Sequence, residues 1–386
     1  MKQKKISLRF RAIACLAAAA ALFLTLLTGC GPKPLTTVIA ASDFQPYHST
    51  KDDPEQGQLY LQTILRQMKK DGYDIEGALF CGDYSKKGNT WGSVNVALNN
   101  AGVAAIMEVL ETELGLGHES AVFVQGNHDP SFTKGLDPSG ANDTEHYGVY
   151  VLHEDDYQWK QGSDLKPGVT KSGNDDNDSK ETTLATAAAL EAYLKEKTEQ
   201  KYTKPIFVCA HVPLHFSYRT QSLSSLDNIY AKFIFDVLNE YAKQLNIIFL
   251  FGHNHSDTHD DYIGGGSVYL PVGDTILVPD EGDGNNFGKY TLNFTYMNAG
   301  YLGYYDGWCE GSGLSSTVFR IYEDRVEVAR YSYEETDDVP GARLSNLKEV
   351  GVWDKFQAFG KFTKDLNTTT VYESTQTIAL KTFETP

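Results

Sequence analysis

Residues that can bind divalent metals follow five short apolar runs of the chain. Each run is β-like in composition and is followed closely by a carboxylate, an amide or an imidazole. The residues concerned are Asp43, Asp83, Asn127, His211, His253 and His255. Oxygen and imidazole ligands of this kind suit divalent cations. Two such cations about 3.5–4 Å apart need a shared anionic bridge and support hydrolytic chemistry, and Asp83 fits the bridging role.

The elements that position these residues alternate between strands and helices. The apolar runs predict strands at 38–42, 78–81, 121–124, 206–210 and 247–251. Helical spacing of apolar residues predicts helices at 56–70, 94–114, 184–197 and 229–245. In α/β sheets ligands bind at the carboxyl ends of strands, so the metal-capable residues are expected to converge on one rim.

The pattern changes in two places. Segments 267–270, 275–278, 291–297, 317–322 and 325–333 are β-rich without intervening helices, which predicts a second sheet formed mainly from C-terminal strands. Segment 130–180 is polar and is predicted to be a loop that shapes access to the rim. Its aromatic residues could stack a base or a sugar, or pack on one another. They are Tyr147, Tyr150, Tyr157 and Trp159.

Five motifs after the predicted strands resemble, in order, those of the calcineurin-like metallophosphoesterases. They are Asp43-Phe44-Gln45, Gly82-Asp83-Tyr84-Ser85-Lys86-Lys87-Gly88, Gly126-Asn127-His128-Asp129, His211 and Gly252-His253-Asn254-His255. Any one motif alone is weak, but all five occur in the family's order, and the resemblance covers roughly residues 36–333. It implies an α/β fold, namely a four-layer αββα sandwich of two mixed β-sheets flanked by helices. It also implies a metal-dependent phosphoesterase.

The resemblance assigns roles to these residues. The first metal would be bound by Asp43, Gln45 and His255, and Asp83 would bridge to the second. The second metal would be bound by Asn127, His211 and His253. A metal-bound hydroxide would attack the phosphorus of a phosphomonoester or phosphodiester, and the metals would offset charge on the phosphoryl oxygens. His128 would protonate the leaving oxygen.

Two motifs depart from the family pattern. Gln45 stands where His is usual, and its amide offers a neutral, hard oxygen or no ligand at all. The first metal site is therefore expected to be weaker and to favour Mn, Fe or Mg, with Zn possible. Lys86 and Lys87 replace the Asp and Arg of the Ser/Thr phosphatases, so His128 lacks its usual orienting partner and phosphoprotein substrates are disfavoured. Lys87 could still attract phosphate as a point charge, and His215 could contact substrate or serve packing.

The first thirty residues resemble a bacterial lipoprotein leader. A basic start precedes a short apolar stretch, 12–27, which ends in Leu27-Thr28-Gly29-Cys30, similar to a lipobox. The thiol of Cys30 would then carry lipid and anchor the protein to the outer face of a membrane. The alternatives are an ordinary cleaved leader or an uncleaved anchor. We expect an extracytoplasmic, membrane-anchored protein in which 30–35 form a short linker.

Charge and cysteine content limit the classes of partner that the protein can bind and the state of its thiols. Residues 1–29 carry five positive charges and no acidic residue, so their removal would take the formal charge from −17 to −22. Such a surface repels nucleic acid, and no duplex partner is expected. Cys81, Cys209 and Cys309 are far apart and are interpreted as buried free thiols. We expect a phosphoesterase domain at 36–335 and a C-terminal extension at 336–386 packed on it.

Two other functions are compatible with the sequence. One is a phosphoesterase with a single firmly bound metal, such as a nucleotidase, because Gln45 weakens the first site. The other is a non-enzymatic surface protein that keeps the fold for binding. The intact residues of the other motifs favour an enzyme over the second alternative. The oligomeric state has no signature in the sequence.

Overall fold

A computed structural model provides the structure of the protein. It describes residues 32–45, 47–48, 51–52, 54–85, 89–90, 93–94, 96–153, 156, 175–215, 230–253, 269–280, 283–302, 315–332, 357–359 and 376–383. The predicted roles of Cys30, Lys87 and His255 lie outside these residues, as do Tyr157, Trp159 and Cys309. Among the described residues, no helix combines the length and the apolar character needed to cross a membrane.

The described helices are α1 (Pro54–Lys70), α2 (Val96–Leu114), α3 (Asp175–Glu199) and α4 (Ala231–Tyr241), with a 3₁₀ turn at His118–Ser120. The strands up to residue 152 are β1 (Thr36–Ala41), β2 (Tyr47–His48), β3 (Lys51–Asp52), β4 (Gly77–Phe80), β5 (Asn89–Thr90), β6 (Ser93–Val94), β7 (Ala121–Phe123), β8 (Gly140–Ala141) and β9 (Gly148–Leu152). Those from 205 to 298 are β10 (Pro205–Ala210), β11 (Asn246–Phe251), β12 (Tyr269–Leu270), β13 (Thr275–Asp280), β14 (Asp283–Thr291) and β15 (Thr295–Asn298). The last are β16 (Gly300–Tyr301), β17 (Ser315–Ile321), β18 (Arg325–Ser332), β19 (Gln357–Phe359) and β20 (Gln376–Ala379).

The first sheet has the order β19-β18-β17-β1-β4-β7, with β16 paired to β17 and β20 paired to β18. Strands β1, β4 and β7 are parallel, whereas β17 lies antiparallel to β1 with Ala40 opposite Thr317. All six residues of β1 are buried, as expected for a strand with both faces covered. Because β19 and β20 pair with β18, these described parts of the predicted extension 336–386 lie on the first sheet.

The second sheet has the order β12-β15-β11-β10-β9-β8, in which β9, β10, β11 and β15 are parallel. The expectation that C-terminal strands form most of it is wrong, because β17 pairs with β1 of the first sheet and β18 pairs with β17. Period-two alternation identifies a strand but contains no information about its partner. The single strand predicted at 291–297 is also wrong, since a turn separates the end of β14 from the start of β15.

Three clusters of buried apolar residues define the layers. One lies between the first sheet and helices α1 and α2, and another between the second sheet, helices α3 and α4 and the β13–β14 ribbon. The third fills the space between the sheets and includes Val38 and Leu79 from one and Phe207 and Leu250 from the other. The predicted α/β four-layer sandwich of two mixed sheets is therefore confirmed.

The predicted loop at 130–180 is wrong in part. Its segment Gly148–Leu152 is the fully buried strand β9, paired in register with β10. Tyr147 stacks edge-on against Phe207 between the sheets, and Tyr150 packs against Tyr193 beneath α3. Both tyrosines are buried, so they are core residues and do not form a surface for a base or sugar. Cys81 and Cys209 are buried free thiols, as predicted.

Candidate metal centre

The parallel strands of both sheets bring the predicted ligands to one rim. Asp43 and Asp83 follow β1 and β4 of the first sheet, and His211 and His253 follow β10 and β11 of the second. Asn127 follows β7. Strand topology therefore gathers residues that are up to 210 positions apart in sequence, such as Asp43 and His253, whose main-chain nitrogen donates to Asp43 Oδ2 at 2.9 Å. This convergence is the one expected from the rule for parallel sheets.

The tightest part of the rim consists of Asp43, Asp83 and His211. One potential ligand atom from each lies within 4.8 Å of the others, and all three residues are buried. His211 Nε2 is 3.3 Å from Asp83 Oδ2 and 4.0 Å from Asp43 Oδ1. Two carboxylates without exposure to water require a compensating positive charge, which a divalent cation among these atoms would supply.

The orientation of His211 makes it a suitable ligand. Its Nδ1 lies 2.6 Å from the carbonyl oxygen of Cys81, so this nitrogen donates a hydrogen and Nε2 faces the rim. A neutral imidazole held in this way presents the lone pair of Nε2 to a metal. Burial by itself lowers the pKa of His211, but the carboxylates of Asp83 and Asp43 outweigh it and raise the pKa to about 10. The site thus attracts positive charge, whether it is a proton or a metal.

Asn127 joins His211 to His253. Its Oδ1 lies 3.0 Å from His211 Nε2 and 3.0 Å from His253 Nδ1. The structure therefore brings together the three residues predicted for the second metal, and an amide oxygen with two imidazole nitrogens is a donor set that divalent metals accept. Although burial raises the pKa of Asp83, the neighbouring His211 and His128 lower it below the usual range, so this carboxylate is an anion at neutral pH.

A sequence comparison identifies the family. The family model described as calcineurin-like phosphoesterase matches residues 36–257, more than half of the 386 residues. This chain belongs to the calcineurin-like phosphoesterases. It is accordingly a metal-dependent phosphoesterase that acts on phosphate esters, as the motifs predicted.

Two solved structures are also similar to this calcineurin-like phosphoesterase. A dimetal phosphatase from Danio rerio is 12% identical, with 77% of this chain and 96% of that chain covered and a TM-score of 0.45. A single mutant of Vps29 from Entamoeba histolytica is 13% identical, with 77% and 92% covered and a TM-score of 0.29. No curated protein matches the chain. The assignment rests on the family match.

The side chain of Gln45 is hydrogen-bonded to Asp83, the predicted bridging ligand of this calcineurin-like phosphoesterase. Gln45 is buried, and its Nε2 donates to Asp83 Oδ2 at 2.7 Å, while its main-chain nitrogen donates to the carbonyl of Asp83 at 3.2 Å. The amide nitrogen of Gln45, and not the amide oxygen, thus faces the carboxylate that is predicted to bridge the metals. Metal ligation through the amide oxygen remains a prediction.

The turns that carry the ligands are conformationally strained. Asp43, Asp83 and His253 have positive φ values of 51°, 62° and 66°, and they are three of the four non-glycine residues with this conformation in the described part of the chain. Such backbone costs of order 1–3 kcal/mol per residue and is concentrated at functional sites. The close packing of these turns also requires glycine at position 126, because a Cβ atom there would lie 2.3 Å from Asp83 Oδ1.

Two buried residues that the sequence analysis did not single out support the centre. Asp129 accepts the main-chain N–H groups of Asp83 at 2.7 Å, Tyr84 at 3.0 Å and Gly126 at 2.9 Å. Asn99 on α2 donates through Nδ2 to Asp129 and, at 2.9 Å, to the carbonyl of His128. Asn99 is a polar residue within the apolar stripe of α2, and this was the signal that could have identified it.

His128 and His215 occupy different environments. The main-chain nitrogen of His128 donates to Asp83 Oδ1 at 2.8 Å, and its side-chain Nδ1 has no hydrogen-bond partner among the described residues. Its role as a proton donor stays a prediction. His215 is buried, its Nδ1 lies 2.7 Å from the hydroxyl of Tyr296, and its ring packs edge-on against Phe251. These contacts describe a packing role, and contact with substrate stays a prediction.

Proposed function

We propose that this phosphoesterase hydrolyses a phosphomonoester or a phosphodiester at a centre for two divalent metals. The observation that carries the proposal is the convergence of ligand atoms of Asp43, Asp83 and His211 within 4.8 Å in a buried site. The ligands of the centre would be Asp43, Gln45, Asp83, Asn127, His211, His253 and His255. When bound, the metals supply Lewis-acid activation of a water nucleophile and charge compensation for the phosphoryl oxygens.

The chain's own groups hold the reacting parts in place. Asp83 Oδ1 accepts the main-chain N–H of His128, while Asp83 Oδ2 points towards Gln45 and His211. Asp83 Oδ2 thus faces one residue of each predicted metal site, Gln45 of the first and His211 of the second, which supports a bridging role for Asp83. His128 is anchored to the same carboxylate and is partly exposed. From this position we propose that its imidazole donates a proton to the leaving oxygen.

Metal removal tests this function. Dialysis of the purified protein against a chelator is expected to lower kcat/KM for p-nitrophenyl phosphate or its bis ester by at least about 10³-fold, since the metals provide several kcal/mol of transition-state stabilisation. Restoring Mn, Fe, Mg or Zn one at a time measures which metal returns activity, and metal analysis gives the number bound. Activity that survives complete chelation, or a Mn-loaded protein inert on both esters, would refute the proposal.

The placement of Gln45 favours unequal metal sites. At position 45, where the family usually has His, this chain has an amide in place of an imidazole lone pair, and the amide nitrogen donates to Asp83. We therefore propose that the site built on Asp43 and Gln45 binds its metal more weakly than the site built on Asn127, His211 and His253. An enzyme with one firmly held metal is the limiting case, and about one equivalent of metal after purification would support it.

Restoring a histidine tests the role of Gln45. In Gln45→His the dissociation constant of the weaker site for Mn²⁺ is expected to fall by about tenfold, because an imidazole nitrogen replaces an amide donor. Isothermal titration calorimetry measures both sites. Gln58→His is the matched control, since that amide also donates to a carboxylate, Glu108, but on the surface of α1. An unchanged affinity in Gln45→His would show that residue 45 does not limit metal binding.

We also propose that the enzyme is extracytoplasmic and anchored by lipid on Cys30. The lipobox-like segment that ends at Cys30 supports this proposal, and only a few residues separate Cys30 from β1, which begins at Thr36. At roughly 3.3 Å per residue the catalytic domain would lie within about 20–30 Å of the bilayer.

Substitution of the acylated cysteine tests the anchor. Cells that express Cys30→Ser are expected to lose incorporation of labelled palmitate into the protein, because serine offers no thiol for the diacylglyceryl group. Cys15→Ser is the control, since Cys15 lies within the predicted leader and should not affect labelling. Equal labelling of both variants and the wild type would exclude Cys30 as the lipid site.

A further inference from the structure

Arg330 on β18 is a fully buried cation at the rim end of the space between the sheets. It lies opposite Thr317 of β17, which in turn lies opposite Ala40 of β1, two residues before Ser42. Its strand neighbours Val328 and Val326 on the same face belong to the core between the sheets. Burial of a charge is costly unless the charge is well hydrogen-bonded. A guanidinium in this apolar layer must therefore have several hydrogen-bond acceptors around it.

The guanidinium connects the two sheets. Its Nη1 donates to the main-chain oxygen of Asn298 at 2.7 Å and to Thr317 Oγ1 at 3.1 Å. Its Nη2 donates to Ser315 Oγ at 3.0 Å and lies 3.4 Å from Asn298 Oδ1. Asn298 ends β15 of the second sheet, whereas Ser315 and Thr317 belong to β17 of the first. A planar fork of several donors can hold these oxygens together, which an ammonium cannot do equally well.

The segment that begins at Asn298 contacts both ligand-bearing turns. The main-chain nitrogen of Ala299 donates to the carbonyl of Phe251 at 2.8 Å, two residues before His253. The nitrogen of Leu302 donates to the carbonyl of Ser42 at 3.1 Å, one residue before Asp43. Between these two contacts, Gly300 has φ 129° and its nitrogen is fixed by Asn298 Oδ1 at 2.9 Å. The segment 298–302 therefore spans from the turn of His253 to the turn of Asp43.

We propose that Arg330 is a positioning residue for the metal centre. By holding Asn298, it fixes segment 298–302 and thereby the separation of the turns that present Asp43 and His253. These two residues belong to the first and second predicted metal sites, so loss of the guanidinium weakens both. Arg330 would act only through Asn298, Thr317 and Ser315 and would itself bind neither metal nor substrate. The inference rests on the proposed function, because it requires that Asp43 and His253 bind metal.

The test is Mn²⁺ binding to the full chain carrying Arg330→Met, measured by isothermal titration calorimetry. Methionine keeps much of the apolar volume and removes the donors. We expect Mn²⁺ dissociation constants about 10–100-fold larger, the loss typical when an outer partner of a metal ligand is removed. Arg325→Met is the matched control, because Arg325 begins the same strand and pairs with Asp324 and Glu327 at the end away from the rim. Its Mn²⁺ affinity is expected to equal that of the wild type.

The melting temperature of each metal-free variant separates positioning from a purely structural role. If Arg330→Met melts earlier but its folded form binds Mn²⁺ as the wild type does, the positioning role is overturned. If Arg330→Met does not fold, Arg330→Lys decides, with several-fold weaker binding supporting the proposal and wild-type binding overturning it. A wild-type protein that binds none of Mn²⁺, Fe²⁺, Mg²⁺ and Zn²⁺ would overturn the proposed function itself. Equal binding by the wild type and Arg330→Met would overturn only the positioning role.

Discussion

Asp83→Asn is expected to lower kcat/KM for phosphate esters by about 10³-fold or more, which corresponds to about 4 kcal/mol of transition-state stabilisation. The carboxylate accepts a hydrogen bond on each oxygen, from the main chain of His128 and from the side chain of Gln45. An amide places an NH₂ group against one of these donors and removes the negative charge shared by the two metals. Steady-state kinetics with both p-nitrophenyl esters and metal analysis of the purified variant measure the effect.

Asp143→Asn is the matched control for this change. Asp143 also accepts a main-chain N–H, from Val149, and it is bonded to Tyr193 and Lys197 near the amino end of β9. Its neutralisation removes an ion pair with Lys197 of 2.5 Å. The variant therefore tests whether the loss of any partly buried carboxylate is sufficient to lower kcat/KM. We expect a lower melting temperature with kcat/KM retained. Full activity in Asp83→Asn would exclude the mechanism proposed above.

His211→Ala is expected to remove metal from the second site and to lower kcat/KM by more than about 100-fold, a loss that even outer partners of ligands can cause. His211 Nε2 faces Asp83 and Asn127, and its Nδ1 donates to the carbonyl of Cys81, so alanine removes both the ligand atom and the bond that orients it. Metal analysis should show a loss of about one equivalent per chain relative to the wild type. Added Mn²⁺ at high concentration is expected to restore part of the activity.

His118→Ala is the comparison for His211→Ala. His118 lies in the 3₁₀ turn before β7, at the amino end of that strand, and contacts the carbonyl of Gly135. Removal of this imidazole should change neither the metal content nor kcat/KM. Wild-type metal content in His211→Ala, with or without activity, would show that His211 is a packing residue whose position at the rim is incidental.

Buried residues that are not themselves predicted ligands fix the positions of the turns that carry the ligands. Asp129 fastens the turn of Asp83 to the turn of Asn127, and Asn99 connects both to α2. Arg330 and segment 298–302 serve the opposite side, where the turns of Asp43 and His253 meet. The strained backbone at Asp43, Asp83 and His253 is held by these contacts, which lie on both sides of the gap between the sheets.

The strands and helices next to the motifs were predictable because their signals are local. Buried apolar runs followed by polar residues identified β1, β4, β7, β10 and β11, and helical spacing identified α1, α2 and α4 to within a few residues. Strand β9 was missed because its five residues interrupt a polar segment and carry no alternation. The partners of β17 and β18 were assigned to the wrong sheet because pairing is a contact between distant segments, and the pattern within each strand does not encode it.

For the site, the sequence by itself determined the family, the metal-dependent chemistry and the identity of the candidate ligands, because these depend on residue types in a fixed order. It also revealed the departure at Gln45. Only the tertiary structure decided that His211 is held by Cys81 with Nε2 towards the rim and that Gln45 directs its amide nitrogen at Asp83. It also decided that Asn99 donates to Asp129 and that Arg330 donates to Asn298. These are hydrogen bonds between segments dozens to hundreds of residues apart. Their geometry is set by the packing of two sheets against each other, which no local pattern contains.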